Sequence, residues 1–462
     1  MRRDDERGAA LVMALLALCA FSLLTAAIAF TVQGETKSSA NYKYGQGAYY
    51  VANAGIQRSL AWFNSSYTPA VAAYTYASTR DALQFGGQDV VLGGQTGVTS
   101  NYPNSTMATS FTSVLGQPKT LIGDSSNATL TSGDYTSNAT LLRSTAGTFL
   151  DTTTFTTGAS ALERWRIDAF GWWGTAANPL GTSEVSAVIE RTASPFWDKA
   201  VWVKTSANFS GNPVGSYVDA YDSALGPYGG TNISNTSFGS NGDVTLGGFA
   251  RINGDLFYGP TGTFNNNVQA GWTSVTGQVS QLPAKRVFPP IPNFAVGTTD
   301  PPIPKTVGAS IGSGGYRSIA VPQDTNITLT GGTYYIDNFT LSRGATITLS
   351  AGVNTTLFIK TLFKFDQGAV LNSSDPLLFQ IYYAGITDPT TLSLKTTGSF
   401  YGTIYAPNAT LNLSGGTGFY GSFIANKLVA SGGSAIHYNK ALGNKSLALG
   451  PFRIMTWTQK SY

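Results

Sequence analysis

Residues 9–33 read AALVMALLALCAFSLLTAAIAFTVQ without one charged side chain, and no other property of this 462-residue chain restricts its folding as severely. A run of that length crosses the ~30 Å hydrocarbon core of a bilayer as one helix, presenting Ala9, Leu11, Leu15, Leu18, Phe21, Leu24 and Ile28 among its lipid-facing residues. A cleaved secretory signal would instead end in a small-residue cut site and pass into non-helical sequence. Here Ala48, Val51, Ala52, Gly55, Ile56, Leu60 and Phe63 recur at steps of three and four, so one apolar face continues to the turn at Asn64. A helix over residues 9–63 is roughly 80 Å long, half lipid-embedded and half amphipathic. Gly34, Gly45 and Gly47 are expected to weaken it locally.

The rest of the chain has a different chemistry. Only 11% of residues are charged, Gly numbers 53, and Ser, Thr and Asn dominate beyond residue 64. That balance predicts short strands joined by many turns, and a mainly β fold behind the one long helix. The net charge of +4 is scattered rather than gathered into a stripe, which argues against nucleic acid as a partner. With Cys19 the one cysteine and His437 the one histidine, disulfide frameworks, zinc sites and histidine triads lack raw material. No metal, cofactor or catalytic residue is expected.

Residues 64–160 read as irregular β structure and long loops, with apolar clusters such as DVVLGG at Asp89 and SFTSVLG at Ser110. Residues 162–206 read as two or three alternating strands. Their Trp165, Trp172, Trp173, Trp197 and Trp202 suit a core better than a sugar-stacking platform. Two NGD tripeptides, at Asn241 and Asn253, together with Asp219 and Asp222, do not have the spacing of a calcium loop and read as turn formers. The Pro-rich segment 283–304 reads as an extended surface connection.

A repeat emerges at an offset of 19 residues, where FYGTIYA from Phe400 matches FYGSFIA from Phe419. Leu411 and Leu413 have counterparts at Leu392 and Leu394 one period earlier, and at Ala430 and Gly432 one period later. Strand alternation then places Phe400, Ile404, Leu411, Leu413, Phe419 and Phe423 inside, with Thr403 and Ser422 outside. Stacked coils of this kind define a right-handed parallel β-solenoid over residues 216–442, interrupted by the Pro-rich excursion. The remaining divisions are a leader (1–8), the helix (9–63), a β-rich Ser/Thr/Trp region (64–215) and a tail (443–462).

The leader MRRDDERG and the apolar run after it resemble the N-terminus of PilX-type minor pilins and pseudopilins. The motifs VDAYDSALGPYGG, NGDVTLGG, FYGTIYAPNATLNLSGG and FYGSFIANKLVASGGSAIHY are similar to the β-helical region found behind such N-termini. The resemblance implies a prepilin peptidase cut between Gly8 and Ala9. It implies partners among other pilins or pseudopilins and inner-membrane assembly proteins. It also implies residence in the bacterial inner membrane, then in a pilus or at the cell surface. Met13 stands where many pilins carry a Glu that meets a neighbouring subunit's N-terminus, and the leader's charges balance, whereas prepilin leaders are usually basic.

Two functions compete on these residues. A structural and adhesive protein uses the helix for assembly and displays the β body, with surface carbohydrate as the candidate outside ligand. A membrane-anchored β-helix enzyme that degrades polysaccharides needs paired carboxylates. The repeat from 390 to 440 has no Asp or Glu, Asp388 lies just before it, and Asp337, Asp366 and Asp375 are isolated. His437 reads as a hydrogen-bonded core or capping residue. Sequons such as those at Asn64, Asn127, Asn338 and Asn408 arise by chance in so Asn- and Thr-rich a chain. The non-enzymatic reading is therefore expected.

Overall fold

Sixty-two residues, Asp4–Ser65, form one uninterrupted helix. The computed structural model describes residues 4–70, 74–76, 82–95, 97–115, 133–212, 216–305, 308–371, 375–386, 391–396, 398–414 and 418–460. Asn127, Asp388 and the first three leader residues lie outside them. The helix glycines do not break it, and Gly47 serves a contact, since a Cβ there would come 2.6 Å from the Trp173 ring. From the sheet side, a Cβ on Gly171 would meet the Ala48 carbonyl oxygen at 2.5 Å. Only a side chain of one hydrogen lets backbone and helix approach so closely.

The residues divide into two compact units, one of 1–148, 159–193 and 449–462, the other of 149–158 and 194–448. In the first, the order of the five-stranded sheet is Leu447–Lys460, Pro179–Pro195, Thr156–Gly174, Gly133–Asp151 and Val91–Leu92. Its central hairpin is antiparallel, pairing Trp165 with Ile189, Ile167 with Ala187 and Ala169 with Val185. All six are fully buried, the period-2 inward face of a half-covered sheet. Leu447–Lys460, expected in a separate tail, is thus a strand of this sheet. The cluster around Ser110 is helical, not β: Ser105–Leu115 buries Phe111 and Leu115, and the Asn104 side chain accepts from the Met107 N–H at its start.

Glu163 lies on the inward face of the same hairpin, 1% exposed among aromatic rings. Its carboxylate accepts from the Tyr67 hydroxyl and from Trp165 Nε1 at 3.0 Å. Burial nevertheless outweighs these bonds and pushes its carboxyl up to about 7.

The second unit is built on parallel ladders. Phe400–Ser414 pairs with Gly418–Ser431 at the 19-residue offset, Phe400 beside Phe419 and Ile404 beside Phe423. A bulge between Ala406 and Thr410 then shifts the register, so Leu411 pairs with Leu428 and Leu413 with Ala430. Gly432 is not its partner. Elsewhere the offset changes from strand to strand: Leu392 meets Leu411 at 19 residues, but Leu357 meets Ile381 at 24.

The strands do not stack in chain order. Val201–Gly211, expected outside the repeat region, is sandwiched between Gly418–Ser431 on one side and Thr236–Ser240 with Asp243–Gly248 on the other. Val201 lies between Phe423 and Phe238, and Phe209 between Ala430 and Leu246. From this strand the chain adds Gly254–Tyr258 and Val279–Gln281 in one direction. It restarts at the opposite end with Ala309–Ile311 and Gly314–Val321 and pairs back toward its origin.

Segment 282–305 makes the return. The ladder it follows is ten strands deep, about 43 Å at ~4.8 Å per step. The segment runs extended over the surface, none of its described residues being buried, and covers a row of outward aromatic rings. Tyr335, Phe358 and Tyr382 stack at 5.3 and 4.9 Å. Phe294 packs on the first two of these rings at 5.7 and 5.6 Å, and the Tyr405 hydroxyl donates to the Pro289 carbonyl. Arg286 pins the start of the segment through Asp198, the Phe196 carbonyl at 2.8 Å and the Asn241 side chain.

Burial also extends to positions expected on the outside of these strands. Thr403 and Ser422 are 0% and 1% exposed, as buried as Ile404 and Phe423. Ser422 donates to the Lys199 carbonyl at 2.7 Å, whereas the Thr403 hydroxyl has no protein partner.

Two outcomes follow. Thr403→Asp should cost several kcal/mol, as Ile404→Asp does, because each buries an unpaired carboxylate. Thr403→Val should be neutral or stabilising, because it removes a polar group that bonds nothing. Thermal melts of the three variants check this, and an Asp tolerated at Thr403 would contradict its burial. For Glu163, folded and unfolded forms are both protonated below about pH 4.5, so its contribution is fully present there. It is lost as pH rises to about 7, where the folded carboxyl ionises, a decline on the order of 3 kcal/mol. Glu163→Gln should remove that slope between pH 5 and 8; an unchanged slope would assign the effect elsewhere.

Candidate functional site

The uncharged run holds its own polar groups. Ser22, Thr25 and Thr31 donate their hydroxyls to the carbonyls of Leu18, Phe21 and Ala27, four residues back, at 2.7, 2.7 and 3.0 Å. With the backbone and these three hydroxyls satisfied inside the helix, the interior of the run, as far as Val32, can sit in lipid. Leu11, Leu15, Leu18, Phe21, Leu24 and Ile28 are 57–70% exposed, as is Ala9 by class. An apolar surface of that extent needs an apolar surrounding. Among the described residues this is the one helix long and apolar enough to cross a membrane. Gly8 and Ala9 both lie within its first turns.

The other sequence-derived positions fall in the interior. Phe400, Ile404, Leu411, Leu413, Phe419 and Phe423 are all at most 1% exposed in the core of the second unit. Trp165, Trp172, Trp197 and Trp202 are buried too. The NGD residues tie neighbouring strands together: Asp243 accepts from Thr263 N–H and hydroxyl, and Asp255 from the Gln278 N–H. Among the described residues no group of three or more His, Cys, Asp or Glu is placed to hold a metal.

Asp337, Asp366 and Asp375 are not brought together as a pair: Asp337 accepts from Thr361, Asp366 sits 3.7 Å from Lys364, and Asp375 caps the Leu377 N–H. Of the sequon asparagines, Asn64 clamps the backbone of Phe452 in both directions and Asn408 donates to the Ala384 carbonyl.

Sequence reasoning missed the pairing of His437 with Asp219. Nδ1 and Oδ1 are 2.7 Å apart and the side chains are 3% and 2% exposed. They are ladder partners, since Ala435–Asn439 pairs in parallel with Tyr217–Tyr221, so the contact joins the beginning of the body to its end. Tyr228 donates to the other Asp219 oxygen at 2.8 Å and lays its ring 3.9 Å from the imidazole. Burial, then this bond to Asp219, raises the Tyr228 hydroxyl well above its ordinary range, keeping it a donor. The bonds among these three groups lock two strands rather than expose a nucleophile. The only hint in the sequence was a lone histidine in an apolar strand.

Comparison with known proteins bears on both ends of the chain. Residues 7–57 match the family model described as PilX N-terminal. Residues 337–445 match a domain of unknown function, DUF7305. No curated protein matches the chain. Among solved structures, the competence-associated pilin ComZ from Thermus thermophilus is 12% identical over 90% of this chain and 97% of that one, with a TM-score of 0.29, a likeness too slight to bear on fold or role. The matched N-terminal segment coincides with the self-satisfied apolar helix, and the chain is accordingly a pilin-like protein with an N-terminus of the PilX type.

Proposed function

We propose that this protein is anchored in the bacterial inner membrane by residues 9–33, cut by prepilin peptidase between Gly8 and Ala9, and assembled with other pilins or pseudopilins into or at the tip of a type IV pilus or pseudopilus. The β body is then displayed outside for adhesion or surface interaction, its parallel ladders wound as a right-handed solenoid. The observation that carries this reading is that the PilX-type segment contains an exposed helical run, uncharged over 9–33, whose hydroxyls are bonded internally. Met13, at the fifth mature position, offers a neighbour's N-terminal amine no carboxylate, which favours a minor or terminal place over bulk filament packing. A non-enzymatic role is supported by Asp337, Asp366 and Asp375, each engaged by a different neighbour in the fold. Mass spectrometry of the N-terminal peptide from membrane-extracted protein should find Ala9 as the first residue. An intact Met1, or a cut near Ala29, would contradict the proposal.

A further inference from the structure

The two ends of the parallel stack are finished differently. Where the chain restarts, Ile311, Ile319 and Val321 are at most 2% exposed, so the inward row is closed. The edge of Gly314–Val321 is blunted as well: the Arg317 N–H donates to the Thr299 carbonyl at 3.0 Å, and its guanidinium holds Asp300. At the opposite end the last layer contains Phe264–Val268 and Val279–Gln281. Its Phe264, Val268 and Val275 pack on the core but stay partly exposed. Val279 is 42% exposed, and Asn265, Asn266 and Asn267 are all exposed. Among the described residues, Phe264–Val268 pairs with Asp243–Gly248 alone, and without a bulge. Natural sheets protect such an edge with charge, proline, a bulge or a covering segment. Residues 264–281 carry neither a charged residue nor a proline.

Strand parity fixes which backbone groups this edge offers. The Val244 N–H donates to the Thr263 carbonyl and the Gln269 N–H to the Gly248 carbonyl, so residues 263, 265, 267 and 269 turn their peptide groups to the inner neighbour. Phe264, Asn266 and Val268 turn theirs outward. The segment reads FNNNV, apolar at both ends and Asn between, so its pattern is the same in either direction. Laid antiparallel on a second copy about a twofold axis at Asn266, it sets Phe264 against Val268 and Asn265 against Asn267. The outward residues then face one another, each pair exchanging both N–H···O=C bonds as an antiparallel ladder requires. Asn266 stands in the same row as Leu246 and Phe209, both buried. Its amide both donates and accepts, so across the axis it can bond its own counterpart. Residues 256–284 hold no charged side chain, and a contact that sets each residue near its counterpart therefore brings no like charges together. We propose that the open layer 264–281 is a self-association surface, on which a second copy of this chain seats its own Phe264–Val268 edge to edge and covers Phe264 and Val268. The contact needs neither the leader cut nor a filament.

The test weighs the full-length protein in detergent micelles by light scattering and sedimentation over a range of concentrations, with the detergent's mass subtracted. A dimer should form as concentration rises. Asn266→Lys sets two like charges face to face at the axis and should raise the dissociation constant about tenfold or more. Its melting temperature should change little, because Asn266 is exposed in the single chain. Asn266→Asp should act in the same way, and an equal mixture of the two variants should dimerise again. In a Cys19→Ser background, Asn266→Cys should oxidise to a disulfide-linked dimer, since facing residues of such a pair stand about 5.5 Å apart at Cα. Val429→Cys, exposed in the middle of the stack, should stay a free thiol. If a charged variant fails to fold, the cross-link decides. No dimer at high micromolar concentration leaves the edge to a strand of some other chain and overturns the proposal. So does a dimer indifferent to both charged variants, as association through the apolar helix would give, and so does the absence of a cross-link at Asn266→Cys.

Discussion

A parallel ladder is bounded by two open edges, and each edge strand offers its unpaired N–H and C=O groups to whatever comes near. A chain that begins such a ladder and winds away in one direction leaves its first strand as a permanent edge. Here that strand is Val201–Gly211, and the chain's last long ladder strand, Gly418–Ser431, pairs with its free side. The hydrogen bonds across this seam make two separately wound ladders into one body. Hydrophobic continuity runs through the same place: Phe423, Val201 and Phe238 lie in one row, as do Ile436, Val218 and Ile252. All six are buried.

The seam imposes the rest of the architecture. A chain that must restart at the far end needs a connection along the stack, and 282–305 supplies it while closing the aromatic row with Phe288, Ile291 and Phe294. Proline suits a segment that needs no ladder bonds of its own. The same return brings His437 onto Asp219. One strand beyond, Arg251 and Asn253 line an open cleft.

What the sequence made legible follows physical range. The membrane-length run needed only local hydropathy, and the pairing of Phe400 with Phe419 needed only neighbouring copies of one motif. The pairing of Val201 with Phe423 could not be read, because no shared motif links segments so far apart in the chain. Counting at a fixed period also failed at the bulge after Ala406, where two residues drop out of the offset. Parity alone placed Thr403 outside, but a residue's side of a strand does not say whether another segment lies over it. Glu163 was invisible for the same reason: its character comes from burial, which residue type does not reveal.

The seam can be tested by a disulfide, since adjacent ladder partners lie within the Cα separation that a disulfide spans, about 4.4–6.8 Å. Asn208 and Val429 are such partners with exposed side chains. In a Cys19→Ser background, which removes the one native thiol, Asn208→Cys with Val429→Cys should oxidise to a cross-link between the two peptides, visible in the mass spectrum of the unreduced digest, with the melting temperature maintained or raised. Free thiols at both positions in folded protein after oxidation would mean that the first and last ladders do not meet.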